Sequence, residues 1–494
     1  MTIAVSPSPD TRTTAELRGH LVPRTLFIDG RWVDTDSTFD VVDPATGEVI
    51  GSVADGRPGH AAAALDAASA AQADWAAVSP RARAELLHSA HDVMKSHADA
   101  FIDVLTLESG KPRTESAGEF HLSTQFLRWF AEQAAHVHGS YSPASAGDFR
   151  IITRQDPIGP SLLITPWNFP LLMPARKISA ALAAGCTTVV KSAGLTPFTA
   201  ALMAQVFAEA GFPPGVVNLI HTTTSGEVSS ALMADPRLRK VSFTGSTGAG
   251  RVLLGQAAQN IMGTSMELGG NGPFLVLDDA DVDAAVEHAI VCKFRNAGQA
   301  CVAANRIILQ SGIADEFTAK FVAATRALVV GNGFTDGVDV GPMISEEQRA
   351  EVHADVTDAV AGGAELLTGG AVVDGPGYFY EPTVLRFSGT THPLACKELF
   401  APAATLFTVD TVDEAVAFAN DTDMGLAAYV FTRDLSQAMT VAERLESGMV
   451  GVNRGVMSDP AAPFGGIKNS GLGREGGHDA LHEFLETKYI ALTV

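Results

Sequence analysis

Residues Ser161 to Ser192 read SLLITPWNFPLLMPARKISAALAAGCTTVVKS. Two short apolar runs, SLLIT and TTVVKS, flank LLMPARKISAALAAG, whose length and composition suit a helix. Strand, helix and strand in that order are the repeating unit of parallel sheets, and strands apolar on both faces are covered on both. The alternation continues with PFTAALMAQVFAEAG, VVNLI, a short helix, KVSFTG and GRVLLGQAAQN, as far as Gly270. The reading is α/β.

Outward from this core the pattern changes twice. The segments LFIDGRWVD and FDVVDPATGEVIGSVA look like short strands joined by turns, and His60 to about Val137 is alanine-rich with helical spacing. After Asp281 a long helix leads into FRNAGQACVAAN, then RIILQ, and strands and helices alternate again to GMVGVN, which makes a second α/β domain. The stretches FRIITRQDP and LHEFLETKYIALTV are strand-like but belong to neither run. Strands without a home sheet often pair across a subunit interface, so an oligomer is expected.

Bulk properties exclude several classes. A chain of 494 residues is long enough for two or three domains. With 46% hydrophobic and 18% charged residues it is a compact globular protein. Its net charge of −22 and lack of a basic block argue against binding nucleic acid or an anionic membrane. The four cysteines, Cys186, Cys292, Cys301 and Cys396, contain no CxxC, against a zinc ribbon or a disulfide framework. The polar start MTIAVSPSPDTRTTAELRGH lacks a signal-peptide core, and no transmembrane run occurs, so a reducing cytoplasmic location is expected.

Several residues are candidates for chemistry, each with a plain alternative. Cys301 is either an inert core thiol or a nucleophile; Gly298, Ala300 and Ala303 would leave the backbone open for a substrate. Asn168, after SLLIT, lies where open α/β sheets bind ligands and suits an oxyanion donor, or it caps the next helix. Glu267 in SMELGGNGP is a general base or an edge-strand carboxylate. FTGSTGAG is a phosphate-binding strand-to-helix junction or an ordinary turn. Arg176 and Lys177 interrupt an apolar helix and must reach water or an anion. No metal-ligand spacing is present.

The order of these pieces is more telling than any one. TPWNFP, K-x-A-x-x-TP from Lys191, FTGST, ELGG, GQ-x-C, KELF-x-P and PFGGIKNSGLGRE follow one another, and in this the chain resembles the aldehyde dehydrogenase superfamily over essentially its full length. The resemblance implies a Rossmann-like cofactor domain (1–137 and 157–268), an α/β catalytic domain (269–468) and a small β oligomerisation arm (138–156 and 469–494) of a homodimer or homotetramer. It implies that Cys301 attacks the aldehyde, that Asn168 and the Cys301 N–H hold the oxyanion, that Glu267 activates water, and that Lys177 with Glu475 relays the proton. Cofactor contacts are implied for Thr165, Pro166, Trp167, Asn168, Lys191, Ser192, Ala193, Gly194, Gly245, Ser246, Leu268, Glu398 and Phe400. The complete set argues against a cofactor-independent thiol hydrolase and against an inactive structural relative.

Departures refine the expectation. NAD-using members commonly carry a glutamate three residues after the cofactor lysine; here Gly194 leaves Lys191 and Ser192 free for a 2′-phosphate, so NADP is favoured with NAD also accepted. Ser229 stands where a glycine is usual, and Ala401 where KELF-x-P usually has one. Ala303 replaces the second cysteine many relatives carry, so no local redox switch is expected. The nearest resemblance is to succinate-semialdehyde dehydrogenases, whose distal-carboxylate clamp maps onto Arg176 and Arg295, assisted by Ser458. The alternatives are glutarate semialdehyde or an aromatic aldehyde as substrate, since Leu171 and Leu172 reshape the tunnel, and an internal salt bridge for either arginine.

Overall fold

The computed structural model describes residues 14–493. The polar leader up to Thr13 and the final Val494 lie outside the described residues. The architecture is α/β, with two large sheets and several small ones.

The first large sheet has eight strands. Its parallel centre runs Gly263–Glu267, Lys240–Thr244, Ser161–Ile164, Thr188–Lys191 and Val217–Ile220, flanked by antiparallel Gly471–Leu472 at one edge and by Leu26–Ile28 with Arg31–Val33 at the other. Of the parallel strands the chain lays down Ser161–Ile164 first, adds two on one side, then returns to its other flank. The direction of winding therefore reverses between Ser161–Ile164 and Lys240–Thr244. Such a reversal opens a crevice at the C-terminal ends of the strands, and TPWNFP and GST follow those two ends.

The helix Leu172–Ala184 is buried along its whole length and stops at Gly185, which takes φ 97°. A helix apolar all round belongs between layers, and this one lies between the first sheet and the helices that precede it. Those helices, Pro58–Ala77, Pro80–Ser96, Ala98–Ser109 and Arg113–Gln133, fill the expected alanine-rich region. One hydrophobic core joins them to the sheet through Trp75, Leu87, Phe101, Phe130, Leu182 and Phe207.

The second large sheet has seven strands in the order Glu365–Thr368, Thr383–Arg386, Ala403–Val409, Ala304–Gln310, Gly272–Val276, Ala427–Phe431 and Met449–Val452, parallel except for the first. The strands without a home sheet pair with each other inside the chain. Arg150–Pro157 runs antiparallel to Leu485–Leu492, and Ser140–Pro143 completes the sheet.

The segment from 469 onward is divided. Gly471–Leu472 extends the first sheet beside Met266 and Glu267, and Ala480, Leu481 and Phe484 enter the core around Leu172–Ala184. Only from Leu485 does the chain join the small sheet, and there Glu486 to Leu492 are all exposed, Tyr489, Ile490 and Leu492 included.

Candidate active site

Cys301 follows an unusual turn. The helix Val282–Phe294 ends, and Asn296 and Ala297 both take left-handed backbone angles, with φ 53° and 52°. That geometry costs an L-residue with a Cβ about 1 kcal/mol or more. Gly298 continues it at φ 71°, and a Cβ there would lie 2.0 Å from the Ala401 carbonyl oxygen. Gly298 is therefore needed for backbone shape and close approach. The expectation that it keeps a substrate path open is corrected, and Ala300 and Ala303, both buried, are likewise part of the packing. Opposite Cys301, a Cβ on Gly270 would meet the Cys301 carbonyl oxygen at 2.3 Å, so the Gly-Gly turn is what lets the two segments touch.

Cys301 is partly exposed at the wall of a cavity of about 260 Å³. Arg176, Arg295 and Ser458 line the same cavity, with Phe169 and Phe464 among its apolar walls. Burial, then the charges of Glu398 and Glu267, push the Cys301 thiol up to about 12. In this state it is a thiol, and it needs a base or a nearby positive charge to become a nucleophile.

Asn168 does not cap the following helix. Its Oδ1 accepts the Phe169 N–H (3.1 Å), and its Nδ2 donates to the Gln299 carbonyl (3.1 Å), tying it to the cysteine loop. The first amides of the helix, Leu171 and Leu172, are instead taken by Glu119 Oε1 at 2.9 and 3.1 Å. The other oxygen of Glu119 pairs with Lys111 Nζ (2.5 Å), which also donates to the Asn168 carbonyl (2.8 Å).

Glu267 is only 3% exposed, and neither carboxylate oxygen has a hydrogen-bond partner among the described residues. The edge-strand alternative is thus set aside. Burial, and then the Glu475 charge, raise its carboxyl well above the usual range. Its neighbours form a compact charged group. Lys177 Nζ contacts Glu475 Oε1 and donates to Ser242 Oγ (2.9 Å), and Arg176 reaches Glu475 Oε2 at 3.3 Å. Arg176 therefore has the internal salt bridge raised as an alternative while also facing the cavity. Its guanidinium lies against Phe126 and Phe464, 4.9 and 4.3 Å from their ring centres, and its Nε has no partner among the described residues.

The expected cofactor residues gather at the strand ends. Thr165 N–H donates to the Lys191 carbonyl (3.1 Å), and Gly245 N–H to the Glu267 carbonyl (3.0 Å), aligning neighbouring strands. Leu268 N–H donates to the Ser470 carbonyl (2.9 Å). Glu398 Oε1 accepts the Gly270 N–H (3.0 Å), and burial lifts its carboxyl to about 7. Phe400 meets Trp167, beside Pro166, edge to face at 5.6 Å. Ser246 caps its own helix by accepting the Ala249 N–H (3.3 Å).

Lys191 is 6% exposed, no side chain among the described residues pairs with its ammonium, and burial lowers it to about 8. A buried cation without a partner is a cradle for an anion, so this end fits a phosphorylated cofactor. Gly194, with partly buried Ala193 before it, has room for a Cβ 3.4 Å from the Thr222 carbonyl oxygen. Ser192 is not free as expected: its Oγ is hydrogen-bonded to His221 Nδ1 (2.9 Å), and burial pushes His221 down to about 4, leaving it neutral. Ala401 is wholly buried in the core of the second sheet. Sequence reasoning missed His221, which follows the strand Val217–Ile220, and Lys111, Glu115 and Glu119, which stand in polar text with no local signal of a site.

With this geometry in place the comparisons are direct. The sequence pattern of the aldehyde dehydrogenase family matches residues 32–490, and the chain belongs to that family. It is 49% identical to succinate-semialdehyde dehydrogenase of Paenarthrobacter nicotinovorans, covering 87% of this chain and 96% of that one. It is 44% identical to glutarate-semialdehyde dehydrogenase of Pseudomonas aeruginosa, over 94% and 97% of the two chains. The crystal structure of an E. coli NADP-dependent enzyme superposes with a TM-score of 0.94 at 43% identity, covering 96% of this chain and 98% of that one. Among the described residues no helix is long and apolar enough to cross a membrane.

Proposed function

We propose that this protein oxidises succinate semialdehyde to succinate, with NADP as its preferred oxidant and NAD also accepted. The observation that carries the reading is the placement of Arg176 and Arg295 on the wall of the cavity that holds Cys301, with Ser458 beside them. Two guanidinium groups in a small apolar cavity suit an aldehyde with a carboxylate at its far end. The identity to the Paenarthrobacter enzyme supports the same substrate. The Pseudomonas relative makes glutarate semialdehyde, one methylene longer, the second reading; an aromatic aldehyde gains nothing from the arginines.

In this reading the Cys301 sulfur, once deprotonated, attacks the aldehyde carbon, and Asn168 Nδ2 and the Cys301 N–H stabilise the resulting oxyanion. When bound, NADP supplies the hydride acceptor that turns the thiohemiacetal into a thioester. Glu267, lacking any hydrogen-bond partner of its own, takes a proton from water for hydrolysis. Water's oxygen enters the acid, Cys301 leaves as thiolate, and Lys177 with Glu475 passes the proton outward. Lys191, Ser192, Ala193 and Gly194 hold the adenosine end, Gly245 and Ser246 the pyrophosphate. Thr165, Pro166, Trp167, Asn168, Leu268, Glu398 and Phe400 surround the nicotinamide side. The first sheet serves as the cofactor domain and the second as the catalytic one. The three-stranded sheet is the arm of a homodimer or homotetramer, its outer strand exposed throughout Glu486 to Leu492, and the four free cysteines suit a reducing cytoplasm.

The test is initial rates of nicotinamide reduction with succinate semialdehyde and with butyraldehyde, which differ in the distal carboxylate. Wild type should prefer the semialdehyde by about 10-fold or more, and Arg295→Ala should lose most of that preference, as a charged contact in a desolvated cavity allows. Equal rates for both aldehydes in wild type would remove the semialdehyde assignment and leave a general aldehyde dehydrogenase.

A further inference from the structure

The segment KPRTESAGE (Lys111 to Glu119) carries four charged groups that the reaction above does not use, and three of them, Lys111, Glu115 and Glu119, reach the site. Glu115 and Glu119 are spaced i and i+4 on the helix Arg113–Gln133, so they share one face. Both line the Cys301 cavity, as does Lys111. Glu119 and Lys111 are spent on each other, on the Leu172 helix and on the Asn168 carbonyl. Glu115 is different. Its Oε2 accepts the N–H of Asn296 at 2.8 Å, the first residue of the left-handed stretch. Among the described residues it has no ion pair; burial lifts its carboxyl to about 7, against the Asn296 N–H and the charges of Lys111 and Arg295, which favour the ionised form. Both cations lie against the Phe169 ring, Lys111 4.5 Å and Arg295 5.7 Å from its centre.

We propose that Glu115 is a positioning residue. From the cavity wall it holds the Asn296–Gly298 turn that presents Cys301, and it balances the charge of Arg295 until a substrate carboxylate takes its place. The turn needs such a hold because Asn296 and Ala297 sit in a backbone region that side chains with a Cβ avoid. A backbone N–H at its entry, fixed by a carboxylate, is one of the few contacts that favour that shape over an ordinary helix end. The balancing role follows from the shared wall: Glu115 and Arg295 line one cavity, Glu115 holds the N–H of the residue that follows Arg295, and its ionised form is the one that balances the guanidinium. A substrate carboxylate at Arg295 meets a guanidinium already partly neutralised, so Glu115 weakens retention of the substrate and of the dicarboxylate product alike.

The second role rests on the semialdehyde reading; the first does not. The experiment uses full-length protein with Glu115→Gln and Glu115→Ala, assayed for kcat and KM with succinate semialdehyde and with butyraldehyde. Glutamine keeps an oxygen for the Asn296 N–H and removes the charge; alanine removes both. Expected results are a kcat for Glu115→Ala about 10-fold below wild type on both aldehydes, most of it recovered in Glu115→Gln. In Glu115→Gln the KM for succinate semialdehyde falls by roughly 3-fold or more, while that for butyraldehyde stays put. Equal kcat losses in the two variants, or none in either, would overturn the hold on the turn. A KM for succinate semialdehyde that is unchanged or raised in Glu115→Gln would overturn the balancing role. Should wild type show no preference for the semialdehyde, the substrate reading fails by itself, and the kcat comparison on butyraldehyde still decides the turn. Thermal melts of both variants separate loss of fold from loss of positioning.

Discussion

The two ends of the site treat positive charge in opposite ways. On the aldehyde side, buried cations are met by carboxylates: Arg176 and Lys177 by Glu475, and Lys111 by Glu119. At the end proposed for the adenosine, Lys191 is buried as well, and no side chain among the described residues pairs with it. A buried ion pair is roughly neutral for stability, whereas a lone buried cation is a standing cost that a ligand anion relieves. The first arrangement holds geometry and lets a substrate carboxylate share an existing network. The second leaves a place for charge that only the ligand brings.

Glu267 is where the contrast is most easily broken. It lies on the paired side, yet its carboxyl has no hydrogen-bond partner and is held well above the usual carboxylate range by burial and by Glu475. The proton-bound form is no base, so turnover should rise with pH through that raised pKa rather than near the ordinary value for glutamate. Glu267→Gln should lower kcat by roughly 10²- to 10⁴-fold and abolish that rise, while a first-turnover burst of reduced cofactor persists. Stopped-flow rates across the pH range measure both, and a variant that keeps the wild-type pH limb would show that another group is the base.

Lys191→Met tests the unpaired side. With NADP as cofactor its KM should rise about 10- to 100-fold, the usual worth of hydrogen bonds to a charged group. The same change should raise, not lower, the melting temperature of the cofactor-free protein, since it removes a buried charge that nothing offsets. A lower melting temperature would mean that the ammonium has a stabilising role in the free protein, and the contrast between the two ends would be lost.

The α/β architecture was legible because its signal is local. SLLIT, LLMPARKISAALAAG and TTVVKS declare their periods within a few residues, and the family motifs mark the strand ends that carry Asn168, Ser246 and Glu267. What escaped was long-range or conformational. Nothing near Glu115 in the chain tells of Asn296, 181 residues away. Gly298 looks like an opening for substrate until the Ala401 carbonyl appears against it. Ser192 looks available until His221, from the neighbouring strand's end, is found on its hydroxyl. The division after residue 469 was missed because Gly471–Leu472 is too short to read as a strand and finds its partner only through Glu267.

The smallest expected effect is also the sharpest test of how Lys191 is used. Gly194 does not need to be glycine for backbone reasons: its φ is not in the left-handed region, and a Cβ there meets only the Thr222 carbonyl oxygen at 3.4 Å and Phe39 at 4.0 Å. Gly194→Glu should therefore fold. It would place a carboxylate three residues from the lysine that awaits an anion, supplying from the chain the partner that the cofactor otherwise brings. The KM for NADP should rise roughly 3- to 10-fold through repulsion of the 2′-phosphate, while that for NAD, whose ribose hydroxyl donates to such a carboxylate, should hold or fall. Parallel titrations of the two cofactors at one aldehyde concentration read the ratio directly. If both KM values rise together, the new side chain merely crowds the ribose. If neither moves, the 2′-phosphate does not lie beside Gly194, and the unpaired charge of Lys191 serves the part of the cofactor that NAD and NADP share.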